Sequence, residues 1–224
     1  LILERIMQVD LMDKISVIIR NRNESEYIGF AIQSVIDHFK DPEIIIMDNN
    51  SNDDSIEIVN LFSLKTNIQI FNIDNYSPGR SINEAVKRCS NDIILILSAH
   101  SQIHKMDYEY VQSCLKNHVA VFGKQTPIYR GKKITPRYIW SHFGTKEVTN
   151  LFSTIEDRYF LHNAFCFYTK EHLSKYPFDE KLVGKEDRYW AIDQVELGYS
   201  FFYTPKIEIN HYWTSNGATW KGLA

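Results

Sequence analysis

Cysteine is sparse and scattered in this chain. Its 224 residues include three, Cys89, Cys114 and Cys166, with no C-x-x-C pair. That argues against a disulfide framework or a structural zinc site and fits a reducing compartment. No apolar run approaches the ~20 residues of a membrane-spanning helix; the longest, such as Ile93 to Leu97, have the length of a strand. Neither sign of charge dominates. The formal net charge is −3, so there is no bulk electrostatic case for nucleic acid, although a local basic pocket stays open. A hydrophobic content of 44% and a charged content of 24% are ordinary globular values, which sets aside disorder, collagen and low complexity. Residues 1–14, LILERIMQVDLMDK, mix charge with apolar groups and lack a small-residue cleavage site, so they do not read as a signal peptide. These features together predict a cytoplasmic protein. The length fits one domain, large enough to bury roughly 70% of its unfolded surface without a staple.

Several motifs are missing. No G-x-G-x-x-G follows the first predicted strand, and no Walker-type G-x-x-x-x-G-K or H-E-x-x-H occurs. Asp48-Asn-Asn-Ser-Asn-Asp53 opens like a calcium loop, but its sixth position is Asp53 and its twelfth Val59, where Gly and Glu are required. No Gly lies between Ile15 and Ile28, which counts against a nucleotidyltransferase with its glycine-rich first loop.

What is present is a rhythm of short Ile-rich runs: 15–19, 44–47, 93–97 and a weaker one at 68–73. Runs apolar on both faces suit parallel strands covered by helices on each side. Between them, Tyr27, Ile28, Ala31, Ile32, Val35, Ile36 and Phe39 repeat at helical spacing, as do Ile82, Ala85, Val86 and Cys89. The alternation predicts an open α/β sheet with right-handed crossovers over 14–97. Beyond Ser101 we expect a helix over Lys105 to Lys116 and a strand over Val119 to Gly123. Loops and short elements follow over 125–160, then a strand over Asn163 to Tyr168. A helix from about Glu186, ended by Gly198, precedes two β-like stretches, Phe201 to Thr204 and Ile207 to Asn210. This second half reads as a smaller α+β layer rather than an independent domain.

Open α/β sheets bind ligands beyond the carboxyl ends of their strands. Those ends are polar here: Arg20-Asn-Arg-Asn-Glu24, Asp48 to Asp53, and Ser98-Ala-His-Ser101. One such cluster is an ordinary turn with a helix cap; three on one edge point to a site.

The segments ISVIIRNRNESEYIGFAIQSV, IIIMDNNSNDDS, SPGRSINEAVKRCSNDIILILSAH and PFDEKLVGKEDRYWAIDQVELGYSFFYTPKIEINHYW resemble family 2 glycosyltransferases of the GT-A fold, in particular a bacterial rhamnosyltransferase-like branch. They cover most of 14–100 and 162–213, in the family's order. The resemblance implies an N-terminal extension over 1–13 and a single GT-A domain over 14–224. Within that domain, 14–101 would form the nucleotide-sugar-binding half and 102–224 the acceptor-binding and catalytic half.

Carried over, the resemblance assigns Arg20 and Asn21 to the donor nucleotide, and Asp48, with Ser51 beside it, to its base or ribose. A helix-capping turn residue is the alternative for Asp48. Gly79, Arg80 and Asn83 match the segment before strand four, where Gly79 would allow close backbone approach and Arg80 would pair with diphosphate; an exposed helix-start arginine is the alternative. Ser98 would also face the donor. Most relatives end strand four with Asp-x-Asp, and this chain has Ser98-Ala99-His100. The resemblance then implies a Mn2+ or Mg2+ ion held partly by His100 and His211. A metal-free site charged by Arg80, Lys185 or Arg188 stays open. Asp187 matches the general base and Glu186 its acceptor-side neighbour, although both acids would also suit a helix N-terminus. The implied reaction is inverting transfer of a sugar from a nucleotide-diphosphate donor to a glycan or lipid-linked acceptor, in bacterial surface polysaccharide synthesis. It leaves room for peripheral contact with the inner face of a membrane. A nucleotidyltransferase, or an inactive sugar-nucleotide-binding relative, are the competing readings.

Overall fold

The computed structural model describes residues 14–221; the extension expected over 1–13 lies outside them. The strands are β1 (Ile15–Asn21), β2 (Glu43–Asp48), β3 (Ile68–Asn72), β4 (Ile93–Ser98), β5 (Ser101–Lys105), β6 (Ala120–Tyr129), β7 (Lys132–Lys133), β8 (Val148–Thr149), β9 (Phe152–Ser153), β10 (Arg158–Tyr159), β11 (Phe165–Thr169) and β12 (Phe201–Tyr212). The helices are α1 (Ile28–His38), α2 (Ser55–Phe62), α3 (Pro78–Val86), α4 (Tyr108–Leu115), α5 (Lys170–Lys175) and α6 (Glu186–Glu196). Ten strands form one sheet in the order β3-β2-β1-β4-β11-β6-β12-β5, with β7 attached to β6 and β8 to β12, while β9 and β10 make a separate hairpin.

The Ile runs explain the parallel part. Side chains alternate across a strand, so Val17 and Ile19 enter the core on one face of the sheet and Ile18 the core on the other. Ile44 and Ile46 are divided from Ile45, and Leu95 from Ile94 and Ile96, in the same way. Both faces therefore need covering. Helix α1 buries Ile28, Ala31, Ile32 and Val35 on one side; α3 brings Ile82, Ala85 and Val86 to the other. Ser77 caps α3, its hydroxyl accepting from Arg80 N at 3.2 Å, with Pro78 at the first helical position. Strands β3, β2, β1 and β4 are all parallel. Strand β11 then runs antiparallel between β4 and β6, and β12 lies parallel to β6 and antiparallel to β5. The result is a mixed, mainly parallel sheet flanked by helices.

Three boundaries differ from expectation. Residues 101–105 form β5, with Ser101 and Ile103 buried in alternation, so Lys105 ends a strand where the sequence predicts the start of a helix. The helix begins only at Tyr108, where the Asp107 side chain accepts from Tyr110 N at 3.1 Å. Strand β6 continues past Gly123 to Tyr129. The two C-terminal stretches are one strand, β12, whose register against β6 shifts between Thr204 and Glu208, around Pro205. Proline lacks an amide donor, so it interrupts the ladder without ending the strand.

Candidate active site

The carboxyl ends of β1 and β4 and the N-terminus of α6 border a cavity of about 560 Å³. Of the residues singled out from sequence, Arg20, Asn21, Ser98, His100, Lys185, Glu186 and Asp187 line it. Lys185 adopts a left-handed conformation (φ 59°) and turns the chain into α6, so the two acids occupy its first turn.

The acids have different partners. Asp187 Oδ2 accepts from Asn163 N at 2.9 Å and from Arg188 Nη1 at 2.8 Å, and its Oδ1 accepts from Arg188 N at 2.9 Å. Glu186 Oε1 accepts from Arg20 Nη1 at 3.1 Å and Asn163 Nδ2 at 3.4 Å. Burial raises the Glu186 pKa; Arg20 opposes that rise and Asp187 adds to it. Arg188 is fully buried, with its guanidinium 4.3 Å from the Phe160 ring centre and its Nη2 3.6 Å from Glu156 Oε1.

Asp48 and Ser51 support the cavity from beneath rather than lining it. Asp48 Oδ1 accepts from Asn21 Nδ2 (2.8 Å) and Ser51 Oγ (2.6 Å), and its Oδ2 from Ser51 N (2.9 Å). Asp48 thus closes the turn after β2 and fixes Asn21. Gly79, Arg80 and Asn83 are not brought to the cavity. Arg80 Nε donates to Glu180 Oε2 at 3.1 Å, Asn83 Nδ2 donates to Phe178 O at 2.9 Å, and a Cβ on Gly79 would lie 2.5 Å from Asp179 O. The close approach at Gly79 is therefore to the chain's own backbone. This segment clamps residues 178–180, which lead toward α6, and Arg80 is paired with Glu180 there.

Near the Ser98 tip, His100 Nδ1 lies 3.1 Å from Glu24 Oε1, and Ser98 Oγ is 3.2 Å from its Nε2. His211, on β12, is fully buried behind it, with the two rings 4.9 Å apart. His211 Nδ1 is 2.9 Å from Gln125 Oε1, and its Nε2 has no partner. Burial pushes the His211 pKa well below the ordinary value, helped by His100. His162, also lining the cavity, is lowered likewise by burial and by Arg188. Glu24 belongs to the polar tip of β1, whereas Gln125, His162 and Asn163 are polar without a local pattern and only tertiary pairing brings them here.

The family model described as Glycosyl transferase family 2 matches residues 16–178. The chain belongs to this family. The structure of S. aureus TarS 1-349 in complex with UDP-GlcNAc superposes with a TM-score of 0.69 at 21% identity, covering 91% of this chain and 60% of that one. The complex of TarS 1-349 with UDP gives 0.68 at 22%, covering 90% and 61%. The structure of GalNAc-T7 with UDP, GalNAc and Mn2+ gives 0.68 at 14%, covering 91% and 44%. The family 2 chain thus has the GT-A fold of these proteins and spans about three fifths of TarS 1-349.

GalNAc-T7 carries Mn2+, which raises the question of a cation in this family 2 site. Among the described residues, no three His, Cys, Asp or Glu side chains converge as a cage. Two neighbouring imidazoles do fit a cation that takes its remaining ligands from a donor molecule, and the orphaned His211 Nε2 is the observation that supports this. No helix among the described residues is long and apolar enough to cross a membrane.

Proposed function

We propose that the chain is an inverting glycosyltransferase that moves a sugar from a nucleotide-diphosphate donor to a hydroxyl of a glycan or lipid-linked acceptor, in bacterial surface polysaccharide synthesis. The supporting observation is that the Asp187 carboxylate lines the same cavity as Arg20, Asn21, Ser98 and His100. TarS binds UDP and UDP-GlcNAc, which makes uridine diphosphate sugars the first donors to test.

In this reading Arg20 and Asn21 meet the donor, and Asp187 is the general base. Its Oδ2 is fixed by Asn163 N and Arg188, and its Oδ1 keeps a lone pair for the acceptor hydroxyl. The hydroxyl proton passes to Asp187 as its oxygen bonds the anomeric carbon and the nucleoside diphosphate leaves from the opposite side. Glu186 holds Arg20 and faces the acceptor. A Mn2+- or Mg2+-type cation would be held by His100 and His211 and would oppose the charge growing on the diphosphate. The three cysteines are free and buried, in keeping with a cytoplasmic enzyme; a lipid-linked acceptor would bring it to the inner face of the membrane.

The test is a thermal-shift panel of UDP-, GDP-, dTDP- and CMP-sugars with and without Mn2+, because a ligand that binds only the folded state raises its stability. One donor class should raise the melting temperature, and that donor should release its nucleotide when acceptor is added. No shift with any sugar nucleotide would remove the proposal.

A further inference from the structure

The glycosyltransferase reading uses His100 and His211 but says nothing about what holds them. His211 Nδ1 meets Gln125 Oε1 at 2.9 Å. In this amide orientation, which leaves Gln125 Nε2 without a partner as well, the oxygen only accepts, so Nδ1 carries the proton and Nε2 the lone pair. That Nε2 is enclosed by protein and has no partner, an arrangement that buried polar atoms normally avoid. His100 takes the same tautomer, its Nδ1 meeting the acceptor-only carboxylate of Glu24 at 3.1 Å and its Nε2 carrying the lone pair. The Nε2 of His100, however, is met by Ser98 Oγ at 3.2 Å, which a cation would displace. An oxygen acceptor on the far nitrogen is how metal-ligating imidazoles are oriented and made more basic.

The spacing agrees. Ligating nitrogens sit roughly 2.0–2.1 Å from an ion, so two imidazoles about 90–110° apart around it have ring centres roughly 4.5–5 Å apart. The observed separation is 4.9 Å. Only His100 of the two lines the cavity, so the pair reaches the donor from one side and leaves the other ligand positions open toward it.

We infer that Glu24 and Gln125 are positioning residues that fix His100 and His211 as a two-nitrogen seat for a transition-metal cation, completed by the donor diphosphate. The inference rests on the glycosyltransferase reading for the identity of the completing ligand. Its consequences follow from ligand chemistry. Imidazole nitrogen favours Mn2+, Co2+ or Zn2+, whereas Mg2+ favours oxygen and sheds its water reluctantly. With no group of three His, Cys, Asp or Glu side chains among the described residues to hold a cation, cation and nucleoside diphosphate bind together far better than either binds alone.

The test measures Mn2+ binding to the full chain by electron paramagnetic resonance, and Mg2+ binding by competition. Each is run with and without UDP, GDP or dTDP, whichever stabilises the protein. Mn2+ should bind about tenfold or more tightly than Mg2+, and only with the nucleotide should it bind well. Co2+ in place of Mn2+ should give a visible absorption band characteristic of nitrogen ligation. Glu24→Ala and Gln125→Leu should each weaken Mn2+ by roughly 10–100-fold, the usual effect of losing an outer-shell partner. Gln125→Glu, which keeps an acceptor at Nδ1, should restore it, and cation-free nucleotide binding should be retained throughout as proof of folding.

Equal affinity for Mg2+ and Mn2+, or unchanged Mn2+ affinity in both Glu24→Ala and Gln125→Leu, overturns the inference. So does loss in Glu24→Ala as complete as in His100→Ala, which would make Glu24 a ligand itself. If a nucleotide binds with no cation dependence, the seat fails and the donor reading stands. If Mn2+ binds and is lost in His100→Ala while no nucleotide binds, the imidazole seat stands, and both its completion by diphosphate and the donor reading fail.

Discussion

Asp187 and Arg188, neighbours in sequence at the start of α6, face each other as a buried ion pair, with Arg188 Nη1 donating to Asp187 Oδ2 at 2.8 Å. Arg188 has no solvent exposure, and its Nη1 also donates to Leu161 O at 3.0 Å. Removing one member of such a pair leaves the other charge buried, which costs about 3–5 kcal/mol. Arg188→Met should lower the unfolding free energy by that order in urea titrations. A loss under about 1 kcal/mol, the scale of an exposed pair, would show that the guanidinium does not anchor the Asp187 carboxylate.

Asp187→Asn keeps the shape of the side chain and removes its basicity. Transfer should fall by roughly 10²-fold or more, the usual contribution of a positioned base, while nucleotide binding stays within a few-fold. Turnover is read from donor consumption with acceptor present; an undiminished rate would move the base elsewhere.

At Gly79 the consequence is steric. A methyl group there would sit 2.5 Å from Asp179 O and 3.2 Å from Phe178 Cβ. Backbone cannot yield as a side-chain tip can, so Gly79→Ala should destabilise by about 1–3 kcal/mol, seen as a lower denaturation midpoint. An unchanged midpoint would mean that the clamp between α3 and residues 178–180 is loose.

His162 gives the fold a pH dependence. Its Nδ1 accepts from Ala164 N at 3.2 Å and its Nε2 lies 3.4 Å from Thr219 Oγ1. Burial and Arg188 hold its pKa well below 6.5. Below that value the unfolded chain takes up a proton that the folded chain refuses, so stability is full above about pH 6.5 and declines as pH falls. The slope from this one group approaches about 1.4 kcal/mol per pH unit. Denaturation series from pH 7.5 to 5 should show it, and His162→Asn should make the slope shallower, the buried His211 keeping its own share; an identical slope in both proteins would assign the effect elsewhere.

The parallel half of the sheet was readable because its strands are buried on both faces and carry unbroken Ile runs, and α1 repeats Ile28, Ala31, Ile32 and Val35 at one period. Residues 101–105 were not. Two buried positions, Ser101 and Ile103, are too few to display a period beside the stronger helical repeat of α4. Pro205 divided β12 on paper because its missing amide looks the same in a bulge and at a strand end. In the site, residues at strand tips were traceable from local pattern, and Glu186 and Asp187 in the first turn of α6 only from the family resemblance. Arg80 was not, since its partner Glu180 lies a hundred residues further on. Glu24 gained its partner only from the pairing of β1 with β4, and Gln125 only from the pairing of β6 with β12.

The sheet order carries a cost during synthesis. Strand β4 is held on one side by β1 and on the other by β11, whose residues 165–169 leave the ribosome long after Ile93–Ser98. Until then a nascent chain displays an unpaired apolar edge, the kind of template on which other copies can assemble. Variants that delay the arrival of β11 should therefore reduce yield and increase chaperone demand in the cell while leaving the finished molecule as heat-resistant as before.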